Sequence, residues 1–199
     1  MHQSSDTLSK TNIDETLAEY VASVEHLGAS IGSLRGFRLF EALKRDVLGT
    51  GPYPAVSLFE AANRIMTDLV ILYGVRWLLK HAVFSFDTYL VEYGNDDKKG
   101  FDIQATADGS KLIGEAFNVA PSFFQGKKGS MLKKLRRLPD GADFKLIMFN
   151  HDAVTPEYVP ETKEREFFVL VTVGTDEGRV VPNRAPAGWL GLADRSRRQ

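Results

Sequence analysis

The stretch Phe101–Val119, FDIQATADGSKLIGEAFNV, constrains the fold more than any other part of the chain. Its two halves suit strands, and Asp108-Gly109 between them is the residue pair that a tight hairpin turn with positive φ favours. The pattern predicts a hairpin with Asp102 opening the first strand and Glu115 inside the second. Carboxylates on neighbouring strands can converge on one divalent cation, because a hard ion such as Mg²⁺ prefers oxygen ligands.

The remaining composition sets the frame for this hairpin. A chain of 199 residues fits one domain, 1–199, with enough length to bury a sizeable core. It divides into a polar tail (1–11), N-terminal helices (12–56), a core (57–150) and a C-terminal strand and loop extension (151–199). Cysteine is absent, which excludes disulfides and thiolate metal sites. The polar start MHQSSDTLSK has no apolar signal core, and the apolar run Leu69–Leu79 is interrupted by Arg76 and too short for a bilayer. A soluble, cytoplasmic protein that does not engage a membrane is therefore expected.

Apolar residues Ile13, Leu17, Tyr20, Val21, Val24 and Leu27 share a helical face after a cap at Asn12, with a stop at Gly28. A second helix is predicted over Leu34–Leu48. A third follows the capping pattern Ser57-x-x-Glu60 and continues almost wholly apolar through Leu79, as a helix buried on most sides would. Strands are then expected at Ala82–Tyr93, Phe101–Thr106 and Lys111–Val119. A basic helix follows, clearest over Ser130–Leu138, and then strands at Phe144–Asn150 and Glu166–Val173. From Gly174 the chain reads as loop. The order ααα–βββ–α–β–β describes an α/β protein with a mixed sheet flanked by helices.

An α-β-β-β-α-β core with Asp at the start of its second strand and Glu in its third resembles the PD-(D/E)XK nuclease superfamily, over roughly Ser57 to Asn150. The resemblance implies a restriction-endonuclease-like core and a Mg²⁺-dependent DNA endonuclease, possible with Mn²⁺ in place of Mg²⁺. It also implies that Asp102 and Glu115 are the metal ligands. The superfamily's lysine, two residues after the glutamate, is replaced here by Phe117. A phenyl ring cannot stabilise developing negative charge. Lys127 and Lys128 on the following helix are the candidates to take over. Lys128 is preferred, since it shares the stripe of Phe124, Met131, Leu132 and Leu135. Glu60 is a further candidate acid, although capping also accounts for it. Asn118 alternates away from Glu115. Asp87, Asp96 and Asp97 suit a strand surface and a solvated turn.

A second signal is the segment GKKGSMLKKLRRL, which concentrates Lys127, Lys128, Lys133, Lys134, Arg136 and Arg137 in a chain whose net charge is −1. Such clustering suits phosphate contacts, with Lys133, Lys134, Arg136 and Arg137 assigned to DNA, and equally suits the solvated face of an amphipathic helix. Gln125 lies beside it without a fixed role. The histidines His2, His26, His81 and His151 are too scattered for a zinc site, and the chain lacks nucleotide-binding glycine motifs and a G-x-S-x-G elbow. Cutting both DNA strands is simplest for a homodimer. Two alternatives to the nuclease stay open: a catalytically inactive nucleic-acid-binding relative, and a structural or interaction subunit of a larger assembly.

Overall fold

The computed structural model describes residues 7–29, 31–94, 100–137 and 141–182. Its centre is a mixed seven-stranded sheet in which sequence order and spatial order coincide. The strands are β1 (Thr7–Ser9), β2 (Thr88–Val91), β3 (Ile103–Ala107), β4 (Ser110–Phe117), β5 (Phe144–Asn150), β6 (Glu166–Val171) and β7 (Gly178–Val181). Neighbours are antiparallel except β4–β5 and β5–β6, which are parallel. The helices are α1 (Ile13–Val24), α2 (Gly36–Arg45), α3 (Leu58–Lys80) and α4 (Phe124–Arg137). The protein is thus α/β, with helices on both faces of the sheet. None of its described helices is long and apolar enough to cross a membrane.

The β3–β4 hairpin forms as its turn residues require. Asp108 and Gly109 both take positive φ, 49° and 77°, the pair of left-handed conformations of a primed two-residue turn. Register then sets Ile103 opposite Gly114, so Asp102 enters beside Glu115. Alternation along β4 divides its side chains between two cores. Leu112 and Ala116 join α3, whereas Ile113 and Phe117 join Phe124 and Leu135 of α4.

From Asp68 onward helix α3 is buried around most of its circumference, as its largely apolar sequence there requires, while its first turns keep an exposed face. Ser57 caps it, accepting the Glu60 N–H at 3.4 Å. Its close approach to the sheet depends on Gly74, where an added Cβ would lie 2.1 Å from Met148 Sδ of β5.

Parts of the sequence reading change. The expected tail holds β1, a short edge strand whose Leu8 is fully buried. Asn12 occupies the N-cap of α1 but makes no side-chain capping bond; its carboxamide instead accepts the Ser9 N–H and donates to Thr7 O, tying β1 to the helix start. The segment after Gly174 returns as β7, pairing with β6. β2 is also shorter than expected, because residues 82–87 tuck Phe84 and Phe86 into the core without joining the ladder. Helix α4 begins at Phe124, a turn and a half before the part most secure in the sequence.

Arg136 of α4 bridges to the start of β6. Its Nε and Nη2 donate to the two oxygens of Glu166 at 2.6 and 2.7 Å, and Glu166 is 4% exposed. The nearby guanidinium and the Lys163 N–H outweigh burial and hold the Glu166 carboxyl below its ordinary range. The Nε–Nη2 edge of Arg136 is committed to the fold, which accounts for its place in the basic cluster without phosphate. Removing one partner of a buried pair leaves an uncompensated charge. Arg136→Ala is expected to destabilise the protein by about 2–3 kcal/mol at pH 7, below the figure for a fully enclosed pair because Arg136 is partly solvated. A depressed carboxyl pKa stabilises above the unfolded pKa and loses that contribution as pH falls through the folded one. Urea denaturation should therefore show wild type and variant converging in acid.

Candidate functional site

The carboxyl end of β4 opens into a cleft of about 620 Å³. Its walls include Tyr53, Asn63, Arg64, Thr67 and Asp68 on the α3 side, Glu92 and Gly94 after β2, Asp102 and Ala116 on the hairpin, and Lys127 and Lys134 from α4. The carboxyl ends of parallel strands are the usual place for a ligand crevice in an open α/β sheet. Asn150 at the end of β5 fixes the rim, accepting the Val119 N–H at 2.9 Å and donating to Val119 O at 3.0 Å.

Asp102 lies in this cleft, where its Oδ2 accepts the Ala116 N–H at 2.7 Å. Glu115 sits just behind the cleft wall on the α4 face of β4 and is 2% exposed. Its Oε1 lies 2.6 Å from Lys134 Nζ, outside hydrogen-bond angles, so the contact is an ion pair. The same ammonium donates to Gly100 O at 3.1 Å and thereby pins the chain entering β3.

Burial pushes the Glu115 carboxyl up to about 7, with repulsion from Asp102 adding to the shift and Lys134 opposing it. Burial likewise raises Asp102, against the Ala116 N–H and the two lysines Lys134 and Lys127. Glu115 therefore feels Asp102 and Lys134, and Asp102 feels Lys134 and Lys127.

The lysine assignment changes in the folded chain. Lys128 turns to the far side of α4, where Nζ donates to Tyr158 O–H at 2.9 Å and sits 5.6 Å from the Phe124 ring centre. The stripe that placed Lys128 toward the sheet is real, but it faces β5 and the 151–165 connection rather than the acids. Lys127 does line the cleft, one helical face with Lys134 at a spacing of seven. Lys134, read from sequence as a phosphate contact, is the cation that meets Glu115. Lys133 and Arg137 are exposed on the outer face.

Glu60 is not brought into the cleft. It lies near the exposed N-terminus of α3, with Oε1 2.6 Å from Arg64. The helix instead contributes Asp68, which is 4% exposed and pushed up to about 6 by burial, against hydrogen bonds from Tyr20, Tyr53 and Gly94. All three donors converge on Oδ2: Tyr20 O–H, Tyr53 O–H at 2.7 Å and Gly94 N–H at 3.1 Å. An acid in the middle of the apolar run IMTDLVIL was the sequence signal for it. Asn118 alternates away from Glu115 as expected, yet lines the cleft, because the cavity opens on the α3 face. Asp87 is exposed, Gln125 is exposed, and Asp96 and Asp97 lie outside the described residues.

Glu115 Oε1 is buried without a hydrogen-bond partner, and of the two Asp102 oxygens only Oδ2 accepts a bond among the described residues. The donor set is all oxygen, and Mg²⁺ commonly takes one or two carboxylates and completes its shell with water and phosphate oxygens. Among the described residues no three His, Asp or Glu groups stand close enough to share an ion. Asp102 and Glu115 are the two carboxylates that could hold such an ion, with water or substrate oxygens completing its shell. Comparison with protein-family models, curated proteins and solved structures gave no match to this chain.

The raised acids have a thermodynamic consequence. A carboxyl with a higher pKa in the folded state holds extra protons there, so stability falls as pH rises from the unfolded pKa to the folded one. The melting temperature is expected to drop between about pH 4.5 and 7 through Glu115, with Asp68 contributing up to about pH 6. Glu115→Gln should flatten the upper part of that decline in calorimetric scans.

Proposed function

We propose that the chain is a metal-dependent endonuclease that hydrolyses phosphodiester bonds in DNA, with a core of the restriction-endonuclease-like PD-(D/E)XK type. The observation that carries this reading is the convergence, at one strand end, of Asp102, Glu115 and the Lys134 ammonium. Supporting it, the elements α3-β2-β3-β4-α4-β5 follow the order the resemblance implies, and β4 and β5 are joined in parallel through α4.

In this reading Asp102 and Glu115 hold the Mg²⁺. When bound, the ion supplies charge for the phosphoryl oxygens and a water of lowered pKa. Lys134 takes the place of the lysine that Phe117 displaced from the motif. Its ammonium is delivered from the helix and lies beside Glu115, where it can stabilise negative charge growing on a phosphate. Lys127, on the same face, faces the strand's phosphates from the cleft mouth. Phe117 stacks with Phe149 and packs near Phe124, so the motif position serves the α4 core instead of the reaction.

A second reading has its own observation. The Lys134 ammonium already neutralises Glu115, as it would in a binding protein that has dispensed with metal. Cleavage of supercoiled and linear DNA with Mg²⁺ or Mn²⁺ separates the two. The nuclease reading expects cutting that Asp102→Ala and Glu115→Ala abolish. Lys134→Ala should lower it by about 10²–10³-fold, with Lys128→Ala close to wild type. DNA binding without cutting in any metal would favour the binding protein.

Metal response gives an independent check. Mg²⁺ binds ionised carboxylates, so it should raise the melting temperature at pH 8, where Glu115 is ionised, and much less at pH 5, where it is protonated. Asp102→Ala should remove the shift, and a shift that survives that substitution would place the ion elsewhere.

A further inference from the structure

Helix α2 shows an apolar face that the fold does not cover. Of its ten residues only Ala42 is buried. Phe37 and Phe40, at i and i+3, are 79% and 64% exposed, and Lys44 continues the same face one turn on. Burying these rings would have been favourable, so their exposure needs a reason.

The charges around them are mostly positive. Arg35, Arg38, Lys44 and Arg45 stand against Glu41 and Asp46, and Arg38 bonds to both acids. Four cations against two acids leave two positive charges in excess on this helix, and Arg35, Lys44 and Arg45 form no ion pair among the described residues. Lys44 Nζ is held 3.5 Å above the centre of the Phe59 ring on α3. The patch therefore offers flat aromatic faces with ammonium and guanidinium groups at their margin. That combination matches a polyanion carrying π-faces better than it matches a purely apolar partner.

The patch also runs into the cleft. Phe59, Asn63 and Thr67 follow one face of α3 at spacings of four, and Asn63 and Thr67 line the cleft. Two helical turns, about 12 Å, separate Phe59 from Thr67. Arg64 lies in the cleft wall with its guanidinium 5.3 Å from the Tyr53 ring centre, which adds a second cation–ring pair along the same path.

We infer that the exposed face of α2, with Phe59 beside it, is a stacking surface for unpaired bases of a single-stranded nucleic acid whose neighbouring phosphates pass along α3 to the cleft. The inference extends the nucleic-acid reading of the cleft and names the form of the substrate. The stacking itself requires neither metal nor cutting.

The test is fluorescence anisotropy in EDTA at low salt, with a labelled oligothymidylate and a duplex of equal length. It compares wild type with the double variant Phe37→Ala/Phe40→Ala and with Lys44→Ala. Wild type is expected to bind the single strand more tightly than the duplex. The double variant should lose single-strand affinity by about tenfold per ring removed. Lys44→Ala should lose less and show a shallower salt dependence. Both rings are exposed, so thermal unfolding of the double variant should match wild type and confirm that the fold is intact.

Equal single-strand affinity for the double variant and wild type would overturn the inference. So would sedimentation showing that the double variant merely splits a wild-type homodimer while its single-strand affinity is unchanged; the face would then join two copies. The nuclease reading fails separately. Retained, ring-dependent binding with no cutting by wild type in Mg²⁺ or Mn²⁺ removes the nuclease and leaves the stacking surface. Metal-dependent cutting with ring-independent binding does the reverse.

Discussion

A carboxylate in the interior of a sheet is costly unless something answers its charge, and the Glu115–Lys134 ion pair meets that requirement at the centre of this molecule. Glu115 stands between Ile113 and Phe117 on the face that packs against α4, a position an apolar residue would fill at no electrostatic cost. The lysine that answers it comes from the next element of the chain and also holds Gly100 at the entry to β3. One ammonium thus ties the hairpin, the crossover helix and the loop before β3 together. The ion pair does not fully offset burial, since the Glu115 carboxyl still sits at about 7. That residual discomfort is what a cation beside Asp102 would relieve.

The two faces of the sheet divide the work. On one, α3 and α1 build the larger core and place Asp68, with its tyrosine partners, at the cleft's inner wall. On the other, α4 supplies the cations. The cleft forms where the strands end and both faces become reachable, which is why residues of opposite parity, Ala116 and Asn118 on one side and Phe117 on the other, line it together, with Glu115 just behind the wall.

Local rules made much of this legible in the sequence. Asp108-Gly109 dictated the hairpin and its register, Ser57 the start of α3, and the apolar run of Phe144–Asn150 a strand buried on both faces. What escaped depended on partners distant in sequence. β1 and β7 are edge strands of three and four residues, too short for periodicity to reveal, and they exist because β2 and β6 offer open edges. Lys127 and Lys134 share one helical face and Lys128 lies about a third of a turn away, and only the direction in which α4 crosses the sheet shows which of these faces meets the acids. Asp68 was readable in principle, since an acid amid apolar helix residues demands partners. Those partners, Tyr20 and Tyr53, come from two other parts of the chain. Glu60 was plausible by type, but its backbone N–H is tied to Ser57 in the first turn of α3 and its carboxylate pairs with Arg64 there.

The most direct measurement is a carbon-13 NMR titration of the Glu115 side-chain carboxyl, assigned by Glu115→Gln, in the metal-free protein, with Mg²⁺, and in Lys134→Ala. The account predicts an apparent pKa near 7 without metal, a move toward the ordinary carboxylate range when Mg²⁺ is added, and a further rise when the ammonium is removed. A Glu115 carboxyl that titrates near 4.5 and ignores both Mg²⁺ and Lys134 would contradict it.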